Sequence, residues 1–142
     1  MKLIYRVALL NVFIVNLLFS QGAFAEVAVV VNPSNAATLS NDDIKRLFLG
    51  KSKSFPGGAS AEPVNLKGSQ ATRGDFEQKA LGKSSNQMKA YWSKLLFSGK
   101  ANPPKEVAND AEVINLIKGN PAAIGYVDAA SVNADVKVVA TF

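Results

Sequence analysis

Between Gly68 and Gly74 the chain reads Gly-Ser-Gln-Ala-Thr-Arg-Gly, a turn of small residues and side-chain donors between an apolar segment and a helical one. Ser69 and Thr72 offer hydroxyls, and Arg73 offers a planar guanidinium that can meet an oxyanion with two parallel N–H groups. Gly68 and Gly74 permit close approach of the backbone. A strand that enters a helix through such a turn leaves unpaired backbone N–H groups at the helix start, where the helix dipole favours negative charge. The chemistry these residue types suit is the holding of a small anion. The same hydroxyls would also serve as an ordinary helix cap.

A second candidate is the turn at Pro33-Ser34-Asn35, directly after the first apolar run. Ligands of open α/β sheets collect beyond the carboxyl ends of parallel strands, which is where Ser34 and Asn35 would lie. An Asn-Pro turn is the plainer reading. Ser54-Phe55-Pro56-Gly57-Gly58 is also rich in small residues, but it follows a helix rather than opening one, and it lacks the Lys-Ser/Thr of a phosphate-binding P-loop.

What the chain lacks argues against catalysis by familiar routes. With no Cys and no His, it has no thiolate chemistry, no Ser-His or Cys-His nucleophile pair and no usual zinc or haem ligand set. The carboxylates are not arranged as acid–base pairs. Asp42 with Asp43, and Asp110 with Glu112, fall in first helical turns, where they offset the dipole. Asp75 and Glu77 are two apart and diverge on a helix. The chain is thus expected to be no enzyme, and neither a cofactor nor a metal is implied.

Several elements must position these residues. Glu26–Asn32 is a β-branched run expected as a buried strand of a parallel sheet. Ser40 with Asp43 forms a capping box for a helix whose Ile44, Leu47 and Phe48 share one face, stopped by Gly50. Residues 51–62 read as a surface loop with Phe55 tucked inward, and Pro63–Lys67 as a second strand. A helix is expected over Asp75–Leu81, ended by Gly82. Ser84 with Gln87 caps another, in which Met88, Tyr91, Trp92, Leu95 and Leu96 fall at core-facing spacings. Asp110 is expected to cap a further helix carrying Val113, Ile114 and Ile117 inward. Ile124–Val127 and Val136–Thr141 are the remaining strands. Strands alternating with helices indicate an α/β architecture with a largely parallel sheet flanked by helices.

Residues 1–25 have the three parts of a secretory signal: Lys2 and Arg6, an apolar run from Val7 to Phe19, and Ala23-Phe24-Ala25 before a cut. The mature domain is then expected over residues 26–142, with the periplasm as its destination. Sixteen Lys plus Arg, two of them (Lys2 and Arg6) in the leader, against eleven Asp plus Glu leave the mature chain at +3. That mild, dispersed charge suits small anions and does not suit nucleic acid.

Taken in order, the segments resemble the substrate-binding proteins of phosphate ABC transporters. The residues that carry this are Val27–Asn32 (VAVVVN), Leu39–Lys51 (LSNDDIKRLFLGK), the Gly-Ser…Thr-Arg…Phe turn at Gly68–Phe76, and Pro121–Val127 (PAAIGYV). Leu81–Val107 is similar to a short exported subgroup of that family. The resemblance implies one lobe of a type 2 periplasmic-binding fold. It implies a phosphate or oxyanion ligand held by Ser69, Gln70, Thr72 and Arg73, and an ABC transporter permease, or a protein completing the cleft, as partner. The turn here is one residue longer than the family's Ser-Gly-Thr-Arg and lacks its middle Gly. The family's other lobe, with the acidic acceptor that tells phosphate from sulfate, has no counterpart. A module that keeps the fold and has lost the ligand is the alternative the resemblance allows.

Overall fold

The computed structural model describes residues 25–142, so the leader expected at the start of the chain lies outside the described residues except for Ala25. Five strands form one sheet in the order β3-β2-β4-β1-β5. They are β1 (Val27–Val31), β2 (Glu62–Leu66), β3 (Lys105–Val107), β4 (Ala123–Asp128) and β5 (Lys137–Thr141). β2 runs parallel to both β3 and β4, whereas β1 runs antiparallel to β4 and to β5. Four strands therefore share one direction and β1 opposes them. The sheet is largely parallel, as expected, but β1 is not the parallel strand its composition suggests. Its five fully buried residues reflect a central position with helices over the sheet, and burial on both faces produces an unbroken apolar run whichever way a strand points.

Four helices, α1 (Asn41–Phe48), α2 (Ala71–Ala80), α3 (Ser85–Phe97) and α4 (Asp110–Gly119), cover the sheet, with a short 3₁₀ turn at Ala129–Ser131. Two neighbouring residues of β4 show how they divide. A Cβ on Gly125 would sit 2.8 Å from Val113 Cγ1 and 3.1 Å from Ile117 Cδ1, so this side of the strand faces α4. Tyr126, on the opposite side, stacks on Phe76 of α2 with ring centroids 3.9 Å apart and meets Phe48 of α1 edge-on at 5.8 Å. Alternation along the strand thus sends α4 to one face and α1 and α2 to the other. The middle of the second layer is the Phe48–Phe76–Tyr126 cluster.

Local sequence accounts for most element ends. Ser40 and Ser84 both form reciprocal capping boxes, with Asp43 and Gln87. Gly50 and Gly82 stop α1 and α2 at φ of 71° and 67°, in the left-handed region that favours glycine. Phe55 is buried, as expected of its loop.

Other expectations are corrected. α2 begins at Ala71 rather than Asp75, because Gln70 already holds the extended backbone of an N-cap and Gly74 is accommodated within the helix. The cap of α4 is Asn109, whose side chain accepts from the Glu112 N–H. Asp110 instead accepts from Ser131 Oγ at 2.7 Å and from the Asp128 N–H at 3.2 Å, tying α4 to the end of β4. Leu96 is 49% exposed, off the core face that buries Met88 and Trp92. β3 has no counterpart among the expected strands. Only Val107 of its three residues is buried, too little for a periodic signal. No helix among the described residues is long and apolar enough to cross a membrane.

Candidate anion site at the start of helix α2

The turn after β2 is held by the Gln70 N–H donating to Lys67 O at 3.0 Å and the Arg73 N–H donating to Gln70 O at 3.1 Å. Gln70 is the N-cap of α2 but its side chain makes no capping hydrogen bond, and no acid lies in the first turn. The helix therefore starts without the side-chain acceptor that α1, α3 and α4 each have. Ser69 is exposed, and Gln70 and Thr72 are half-buried. These three lie together at the carboxyl end of β2, with Arg73 one residue further on.

Arg73 is engaged within the molecule. Its Nη1 donates to Leu66 O at 2.9 Å and to Glu106 Oε1 at 2.7 Å, and its Nε lies 3.6 Å from Glu77 Oε2. Burial is the largest single effect and works against the charge. Only in sum do the Glu106 hydrogen bond and the fields of Glu77, Tyr126 and Glu106 exceed that penalty and hold the guanidinium above its ordinary pKa. Glu77 is buried and also accepts from Ser85 Oγ at 3.1 Å. Gly68, Arg73, Glu77, Ser85, Lys89 and Glu106 line a depression of about 340 Å³. Its two cations and two carboxylates balance.

Beneath Arg73 the strand is locked from the other side. Tyr126 Oη donates to Asn65 Oδ1 and accepts the Leu66 N–H at 3.3 Å. Burial pushes the Tyr126 hydroxyl well above the ordinary phenol range, against the lowering effects of the Leu66 amide and of Arg73. A neutral donor is thus fixed under the turn at physiological pH.

Ser34 and Asn35 do not join this group. Val31 and Pro63 both pair with Ile124, so β1 leaves the sheet at the level where β2 enters it. From Pro63 to Leu66 the chain advances three residues, roughly 10 Å at about 3.3 Å per residue. The reversed direction of β1 therefore carries Ser34 and Asn35 to the end of the sheet opposite Thr72, too far for one small anion to touch both. Their polar groups are also in use. Ser34 donates through N and Oγ to Asn32 Oδ1, at 3.0 and 2.7 Å, while the Asn35 side chain accepts from the Ala37 N–H at 2.9 Å. Asn32 in turn donates to Ile117 O and Lys118 O, closing the end of α4.

Sequence reasoning did not find Glu106, which arrives from β3, or the role of Glu77. Glu77 stands four residues after Arg73, and that helical spacing was the available signal. Nothing local announces Glu106, 33 residues from its partner. Among the described residues no group of three or more His, Cys, Asp or Glu is placed to hold a metal ion.

Solved structures share this fold. A structure of an ABC-type phosphate transport receptor from Vibrio cholerae superposes with a TM-score of 0.63 at 21% identity, over 81% of this chain and 46% of that one. A phosphate ABC transporter substrate-binding protein with bound phosphate from Clostridium perfringens gives 0.62 at 20% identity, over 81% and 45%. PstS from Borrelia burgdorferi gives 0.58 at 15% identity, over 82% and 47%. The chain spans about half the length of these receptors. No family model and no curated protein sequence matches it. At these identities the likeness establishes the fold.

Proposed function

We propose that the chain is an exported, periplasmic, non-enzymatic binding protein that holds phosphate or a similar oxyanion at the start of α2. The observation that carries this reading is the uncapped N-terminus of α2, with Ser69, Gln70 and Thr72 grouped around it and Arg73 in its first turn. Helix-start N–H groups and the dipole supply the attraction, and the side chains add donors. The receptor-like fold supports it, since two of the similar structures are described as phosphate receptors or as carrying phosphate. A transporter permease, or a protein that completes the cleft, is the corresponding partner.

An anion at an open helix start stays in contact with water, so its charged contacts are screened. A dissociation constant weaker than about 1 μM is expected for the monomer. Calorimetry of residues 26–142 with phosphate and with sulfate tests this. Weak, saturable heats that vanish in Thr72→Ala/Arg73→Ala support the site. No heat at millimolar phosphate rejects it, and a tight one-to-one isotherm for the monomer rejects the open-surface argument.

One observation favours a second reading, an interaction module that has lost its ligand: Arg73 already carries two carboxylates, Glu77 and Glu106. On that reading phosphate leaves the melting temperature unchanged in the wild type and in every Arg73 variant.

A further inference from the structure

At the end of the sheet away from Thr72, a cavity of about 360 Å³ opens between the end of α1, the start of β2 and the loop after α3. Leu47, Ala61, Pro63 and Trp92 supply apolar wall, and Lys53, Lys100, Ser52 and Asn102 supply polar groups. Among the described residues no carboxylate lines it, so its two lysines have no acidic neighbour in the wall, unlike the balanced depression beside Arg73.

Trp92 forms part of the cavity wall while most of its ring is packed into the core. The residue is 6% exposed, and its indole Nε1–H is buried with no hydrogen-bond partner among the described residues. Buried polar groups are nearly always paired, because leaving one unpaired forfeits its hydration without return. The neighbouring Tyr91 shows the usual solution, donating its hydroxyl to Leu49 O at 2.6 Å. Trp92 is fixed where it stands. A Cβ on Gly50 would lie 3.0 Å from Trp92 Cη2, and Gly50 sits at φ 71°, so the close passage of the chain by the ring favours glycine there.

We infer that this cavity binds a small organic carboxylate with a flat apolar body. The body lies against Trp92, Leu47 and Pro63, and the carboxylate is held by Lys53 and Lys100. Flat rings favour an aromatic wall, and a carboxylate facing two ammonium groups gains charge-assisted hydrogen bonds. The site shares no lining residue with the depression beside Arg73, so it stands or falls separately from phosphate binding there.

The chain has one Trp, so its indole N–H gives a single side-chain cross-peak in a ¹H–¹⁵N spectrum of the uniformly labelled protein. Titration with benzoate, bound against the ring, is expected to move that peak saturably, and benzamide, equal in shape but uncharged, is expected to bind at least about tenfold more weakly. Lys53→Gln/Lys100→Gln, at two exposed positions, should reduce benzoate affinity by about the same factor with the fold intact. An indole peak that does not respond to benzoate overturns the inference, as does a response equal for benzamide or undiminished in the double lysine variant.

Discussion

Arg73 of α2 and Glu106 of β3 meet at 2.7 Å, and the same Arg73 nitrogen also donates to Leu66 O at the end of β2. One guanidinium thereby joins the edge strand, the adjacent strand and the helix that starts between them. Glu106 is 49% exposed along its side chain, so the ion pair adds little stability of its own, on the order of 1 kcal/mol or less. Its larger effect is on charge, because a carboxylate at Arg73 opposes any anion arriving at the start of α2.

Glu106→Gln is accordingly expected to raise the phosphate-dependent increase in melting temperature, with little change in the melting temperature measured without anion. Differential scanning calorimetry at low ionic strength, where screening is weakest, reads both. A variant no more responsive to phosphate than the wild type would show that Glu106 does not compete for the site.

Gly125 is required by packing. A methyl group there would overlap Val113 Cγ1 at 2.8 Å, and Val113 is a β-branched side chain on a buried helix face with little freedom to yield. Gly125→Ala should cost about 1–3 kcal/mol through separation of α4 from the sheet. The midpoint of urea unfolding measures it, and an unchanged midpoint would contradict the close approach.

The buried Tyr126 hydroxyl predicts alkaline sensitivity. Its folded pKa is raised by burial above the unfolded value of 10.0. The stability it contributes is therefore complete below pH 10.0 and declines as pH rises beyond that value toward the folded pKa. Tyr126→Phe should flatten that alkaline decline. At neutral pH it should cost about 1–3 kcal/mol, because Asn65 Oδ1 and the Leu66 N–H lose their partner. Unfolding midpoints across neutral to alkaline pH separate the two effects.

Asp43 acts in the opposite sense. Its carboxylate accepts the Ser40 N–H at 2.8 Å, and that backbone hydrogen bond, with the Ser40 hydroxyl and Arg46, lowers its pKa below 3.8. The contribution is present above pH 3.8 and is lost as pH falls through the folded value. Ser40→Ala should cost roughly 1 kcal/mol at neutral pH through loss of the cap. Asp43→Asn should remove part of the acid dependence of the melting temperature, and an acid limb identical to the wild type would refute the cap's role.

What the sequence determined by itself was local. The capping boxes at Ser40 and Ser84, the stops at Gly50 and Gly82, the inward Phe55 and the turn before Thr72 each depend on residues within a few positions, and short-range sterics and hydrogen bonding decide them. Only the tertiary structure decided that β1 runs against its neighbours, because apolar composition records burial and not direction. That reversal separated Ser34 and Asn35 from Thr72. It likewise took the folded chain to bring Glu106 to Arg73, and Lys53, Lys100 and Trp92 into the wall of one cavity. Charges far apart in sequence act on one another only once packing has set the distance between them.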